Sequence, residues 1–112
     1  LENISSDKPP VIFGDGSQIR DFVFVKDIAR ANLFAMESSI TNGFFNIGTG
    51  IGISIKDLAH LMIKISNKKL NPIFDKLPEG DVKSSQADAT VAKSSFNWIY
   101  TTKLEEGLST LF

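Results

Sequence analysis

Gly14-Asp15-Gly16-Ser17-Gln18-Ile19-Arg20-Asp21-Phe22-Val23-Phe24-Val25-Lys26-Asp27 is the stretch whose reading decides the fold. Two glycines bracket an aspartate, the composition of a tight turn. An apolar run of β-formers follows, and Asp27 ends it where an aspartate can cap a helix. Arg20 and Asp21 fall between turn and strand, where a charged side chain reaches outward while its backbone is held. An arginine there offers a planar fork of donors suited to phosphate. On spacing alone a plainer reading stays open: an exposed Arg20–Asp21 pair beside a hairpin.

Upstream, Pro10-Val11-Ile12-Phe13 reads as a short strand starting after proline, able to pair with Phe22–Val25 as a hairpin. Residues 1–9 read as a linker or entering loop, and residues 10–112 as one small domain cut from a longer protein. Downstream, Asp27 is expected to cap a helix from Ile28 to Ser38, stopped by Thr41-Asn42-Gly43. Phe44–Ile47 is expected as a strand and Gly48-Thr49-Gly50-Ile51-Gly52 as the turn after it. Ser54 and Asp57 form a capping box for a second helix with the stripe Ile55, Leu58, Ala59, Met62 and Ile65, closed at Asn67. His60 falls off that stripe and reads as solvated.

Asn71–Phe74 is a further short strand, and Lys76–Ser85 is loop-like. A helix over Thr90–Phe96 leads to Trp98, a large apolar anchor. A last helix, with Thr102 and Glu105 as its capping box, carries Leu104, Leu108 and Leu111. Short strands around Phe13, Val23, Ile47 and Phe74, alternating with four helices, give an α/β fold.

Composition excludes several functions. A chain of 112 residues is too short for more than one domain, and a net charge of −1 provides no basic face for nucleic acid. With no cysteine and one histidine, thiolate and His-pair metal sites are ruled out. No apolar run approaches the roughly 20 residues that span a bilayer, and no signal-peptide pattern opens the chain, so the default location is cytoplasmic.

Catalytic parts are also missing from the pattern. The glycine cluster at 48–52 lacks both the G-x-G-x-x-G spacing and a Walker lysine, so it reads as a tight turn. Tyr100 and Lys103 are three apart at a helix entrance, not four apart within a helix. No pair of carboxylates stands out as acid and base. No catalytic, cofactor-binding or metal-ligating residue is therefore nominated. What remains is a binding constellation, with Arg20 for a phosphate and the glycine-flanked Asp81 of Glu79-Gly80-Asp81 to accept hydrogen bonds from a vicinal diol.

One ordered set of motifs gathers these pieces: Phe13-Gly14-Asp15-Gly16, Arg20-Asp21-Phe22-Val23-Phe24-Val25, Asp27-Ile28-Ala29, Phe45-Asn46-Ile47-Gly48, Gly80-Asp81-Val82, Ala87-Asp88-Ala89 and Asn97-Trp98. It resembles the C-terminal part of extended short-chain dehydrogenase/reductases, the NAD-dependent nucleotide-sugar epimerases and dehydratases, with UDP-glucose 4-epimerases nearest in pattern. The resemblance implies a small C-terminal α/β domain without the NAD-binding Rossmann half. It also implies that Arg20 binds the nucleotide diphosphate and Asp81 the ribose hydroxyls.

By the same resemblance, NAD and the Tyr-x-x-x-Lys pair belong to an N-terminal domain, which would be this segment's partner. The substrate would be a nucleotide sugar, most simply a UDP-sugar, and the isolated segment would be inactive. One position departs from the family, since Pro78 stands where a second diphosphate-binding arginine is usual; Lys76 or Lys83 could substitute only as a point charge. That departure favours an alternative, a non-catalytic nucleotide-binding or interaction module. If the segment once faced a further domain, some of Phe22, Phe24 and Phe44 should line an exposed apolar patch.

Overall fold

The computed structural model describes residues 1–76 and 79–112. The Gly14–Ser17 turn forms as its residues dictate. Gly14 and Gly16 both take left-handed φ, 75° and 76°, and the Ser17 amide donates to Asp15 Oδ1 at 2.9 Å. The turn does not make a hairpin, however. Strand β1 (Val11–Phe13) pairs in parallel with β4 (Ile73–Asp75), Ile12 opposite Phe74, and the Gly14 amide prolongs that pairing to the Asp75 carbonyl. Having turned, the chain enters a different ladder: β2 (Ile19–Asp21) runs antiparallel to β3 (Gly52–Ser54), with Arg20 opposite Ile53. A single parallel bridge joins Ile19 to Ser84.

The second strand therefore lies three residues earlier than the apolar run suggested. Phe22 and Val23 lie outside the sheet, Phe24 is the N-cap of helix α2 (Val25–Glu37), and the expected hairpin is absent. Asp27 is not the cap. It sits inside the first turn, its amide donating to the Phe24 carbonyl, while its carboxylate is committed elsewhere.

Helix α3 (Ile55–Ile65) starts as expected: Ser54 Oγ accepts from the Asp57 amide at 3.0 Å and donates to Asp57 Oδ2 at 2.6 Å. Asn67, in the left-handed region at φ 59°, follows its end. His60 is exposed, as expected. Helix α4 (Thr90–Phe96) matches its expected bounds and ends on left-handed Asn97.

Three further expectations fail. Helix α5 (Leu104–Ser109) has Lys103, not Thr102, as its N-cap, because the Thr102 amide is drawn to Asp27 Oδ2 at 2.9 Å. Phe44–Ile47 forms no strand. Residues 2–5, expected as loop, make a one-turn helix α1 (Glu2–Ser5), so five helices stand among the described residues where four were expected. Ile4 of α1 is fully buried, and Lys68 Nζ donates to the Ile4 and Ser5 carbonyls at 2.7 and 2.9 Å.

Trp98 is the anchor expected of it. It packs with Ala31 and Ala92, whose small side chains leave room for the indole, and Val23, Phe34, Phe45 and Phe96 close around them. Its indole N–H donates to the Asp27 carbonyl at 2.9 Å. The molecule is nevertheless drawn out, 49 × 31 × 17 Å, with a radius of gyration of 16.5 Å against about 13 Å for a compact domain of this length. Phe44 is fully exposed and Val25 and Met36 largely so, while Phe22 and Phe24 are half-buried in a groove with Leu104, Leu108 and Leu111. None of the three phenylalanines is completely buried, and Phe44 is the one fully exposed.

Candidate functional site

Side chains alternate along a strand, so Gln18 and Arg20 share one side of β2 and its approach while Asp21 faces the other way. The two sides meet different partners. Arg20 Nη2 pairs with Asp81 Oδ1 at 2.8 Å, and Nη1 donates to the Ile19 carbonyl at 2.8 Å. Gln18 Nε2 donates to the other carboxylate oxygen, Asp81 Oδ2, at 3.2 Å. The arginine and aspartate nominated separately from the sequence are therefore in direct contact. Their side chains are 26% and 34% exposed, so both remain open to solvent. Among the described residues, two of the five guanidinium donors have partners, and Arg20 also lines a polar cleft of about 360 Å³ with Asn46, Gly48, Gln86 and Asp88.

Asp21 turns to the glycine-rich loop. Its Oδ1 accepts from the Thr49 amide at 3.0 Å and the Thr49 hydroxyl at 2.6 Å; its Oδ2 accepts from the Gly50 amide at 2.9 Å and the Ala87 amide at 3.3 Å. Gly48 is required by close approach, since a Cβ there would lie 2.4 Å from Ala87 Cβ and 2.9 Å from Asp21 Oδ2. The loop is not the strand-to-helix turn expected: no strand directly precedes it, and Gly52 already belongs to β3. It does hold an anion, but that anion is the chain's own Asp21. The Arg20–Asp21 surface pair does not form, because each residue has a partner elsewhere.

Asp27 repeats this pattern in the interior. Its carboxylate accepts from the Thr101 amide and hydroxyl and from the Thr102 amide, and it pairs with Arg30 at 2.9 Å. Burial pushes the Asp27 carboxyl up, but the bonds from Thr102 and Thr101 outweigh it and hold the group below the ordinary carboxylate value. Asp21 behaves alike: burial raises it, and Thr49, Gly50 and Ala87 together bring it lower.

Sequence reasoning missed Gln18, which is only 6% exposed and joins the turn to Asp81. The available signal was its place two residues before Arg20, on the same side of a strand. It also missed that Asp21 and Asp27 are internal anchors. The departure at Pro78 lies outside the described residues. No helix among the described residues is long and apolar enough to cross a membrane.

Comparison with known proteins bears on this geometry. The NAD dependent epimerase/dehydratase family profile matches residues 1–48, which include the turn, Arg20 and Asp21. A UDP-glucose 4-epimerase of Thermotoga maritima, solved with UDP-glucose, superposes with a TM-score of 0.91 at 41% identity over 96% of this chain and 35% of its own. This chain belongs to the NAD dependent epimerase/dehydratase family. Two further relatives agree. A Bacillus cereus UDP-glucuronic acid 4-epimerase, solved with UDP-glucuronic acid and NAD, gives a TM-score of 0.88 at 34% identity over 96% of this chain and 35% of its own. A UDP-glucuronate 4-epimerase of Thermodesulfobacterium geofontis is 35% identical over 94% of this chain and 32% of its own length. The family chain described here thus spans about a third of the length of the relatives it matches. Its fold is the small α/β fold expected.

Proposed function

We propose that this chain is the substrate-binding portion of an NAD-dependent nucleotide-sugar epimerase or dehydratase, with Arg20 on the diphosphate and Asp81 on the ribose hydroxyls. The observation that carries the reading is the convergence of those two residues, sixty-one positions apart in sequence, on one half-exposed surface. Arginine matches phosphate through paired N–H donors, and an aspartate carboxylate can accept from two neighbouring hydroxyls. Arg20 and Asp81 pair with each other, so a diphosphate would engage Arg20 either by displacing Asp81 or through its other guanidinium donors.

NAD in such an enzyme would take a hydride from the sugar and return it. Among the described residues the glycine-rich loop does not fit that cofactor: it leads into β3 and not into a helix, and its Thr49 and Gly50 amides are turned to Asp21. The reading therefore assigns NAD and the catalytic pair to an N-terminal domain, with this chain alone inactive. The drawn-out shape and the exposed Phe44 support such a partner.

The test is an amide chemical-shift titration of the chain with UDP, run beside Arg20→Ala. Shifts centred on Arg20 and Asp81, lost in the variant, are the expected result, with an affinity near millimolar for a half-site. Shifts confined to other surfaces would contradict the reading.

A further inference from the structure

We infer that Gln18 is a positioning residue for the ribose-binding carboxylate of Asp81, an inference that rests on the function just proposed. Its amide is fixed by what surrounds it. Nε2 lies 2.8 Å from the Phe13 carbonyl and 3.2 Å from Asp81 Oδ2, and both neighbours are acceptors. Rotating the amide would set Oε1 against two oxygens, so only the NH₂ can face them. The backbone is held as well: the Ile55 amide, at the start of α3, donates to the Gln18 carbonyl at 3.0 Å. Gln18 is thus tied to the end of β1 and the start of α3, and from that frame it reaches out to a loop residue.

The division of the Asp81 carboxylate follows. Gln18 takes Oδ2 from a buried position, and Arg20 takes Oδ1 from a half-exposed one. When a diphosphate draws Arg20 away, the bond from Gln18 remains to fix the plane of the carboxylate. Asp81 needs such support. It follows Gly80, which has a left-handed φ of 84°, and among the described residues nothing beyond its chain neighbours lies within 4 Å of where a Gly80 side chain would start. Burial of Gln18 with its Oε1 unpartnered among the described residues also suits a role beyond stability. An apolar side chain at that position would satisfy burial without leaving an acceptor bare.

The experiment compares wild type with Gln18→Met, which keeps the volume and removes the amide, and with Gln18→Glu, which sets a carboxylate against Asp81. Three probes are titrated into each: UDP, 2′,3′-dideoxyuridine diphosphate and inorganic pyrophosphate. Wild type should favour UDP over the dideoxy analogue, and both variants should lose that preference by about threefold to tenfold, the scale of one hydrogen bond. Pyrophosphate affinity should stay within about twofold in Gln18→Met, since Arg20 is untouched.

Equal weakening of UDP and pyrophosphate would mark Gln18 as merely structural and overturn the inference; so would unchanged discrimination. If wild type itself does not distinguish the two nucleotides, the ribose role of Asp81 fails, and the inference falls with it. A ligand-free measurement stands apart from binding. The Gln18 side-chain amide protons should exchange slowly in wild type and faster in Asp81→Ala. Exchange at the free solvent rate in wild type would overturn the positioning role outright.

Discussion

Asp27 and Asp81 are both aspartates paired with an arginine, yet they sit in opposite kinds of surroundings. Asp27 is buried beside Trp98 and receives its hydrogen bonds from Thr101 and Thr102, so every lone pair facing the protein is answered by the chain itself. Asp81 lies on a loop, is a third exposed, and is held by two side chains that reach in from β2 and its approach. Asp21 belongs with Asp27, since four donors from the glycine-rich loop and Ala87 saturate it. The difference separates the two groups: an anchor carboxylate has its capacity filled by the chain's own backbone and side-chain donors, whereas Asp81 keeps the capacity that the proposed function requires of it.

The sharpest way to break this comparison is to remove an anchor. Asp27→Ala strips the partner from Arg30 and from two threonines, and should cost about 3–5 kcal/mol in urea denaturation, a large fraction of a small domain's stability. Arg20→Ala should do the reverse. It should weaken UDP binding by about 1.5–3 kcal/mol while moving the urea midpoint little, because a half-exposed ion pair is worth under about 1 kcal/mol.

Asp21→Asn should cost about 1–3 kcal/mol, since a neutral amide oxygen accepts less strongly and an NH₂ would face backbone donors. Acid sharpens the same point. Asp21 and Asp27 have carboxyl values lowered in the fold, so their stabilisation is complete above the ordinary value of 3.8 and is lost as pH falls through the lowered values. The urea midpoint of wild type should therefore drop below pH 3.8, and more gently in Asp21→Asn. Ser54→Ala, which removes the α3 cap, should cost about 1 kcal/mol. His60→Ala, at an exposed position, should stay within about 0.5 kcal/mol.

Where the sequence carried local rules, those rules were legible. The Ser54–Asp57 cap, the Thr90–Phe96 helix, the Trp98 anchor and the Gly14–Ser17 turn follow from spacing and residue chemistry within a few positions. Several of the failures involve a distant partner. Phe22–Val25 has strand composition, but the strand goes to Ile19–Asp21, where β3 offers a ladder thirty residues on. Asp27 and Thr102 each carry a capping signature, and neither caps, because they bond to each other across the core. A polar residue read as a cap from local sequence can be claimed by tertiary structure instead.

The site was legible in part. Arg20 and Asp81 were nominated from their residue types and the family pattern, and the fold brings them within 2.8 Å. Gln18 escaped because its one local signal, the place two residues before Arg20, is weak; its burial and its contact with a residue in another loop are what distinguish it.

The most direct test crosses two variants with two measurements: Arg20→Ala and Asp21→Ala, each followed by urea denaturation and by UDP titration. The account predicts that Arg20→Ala loses UDP and keeps its stability, while Asp21→Ala loses stability and, under conditions where it remains folded, still binds UDP. Loss of UDP binding in folded Asp21→Ala together with its retention in Arg20→Ala would contradict the division between anchor and binding group.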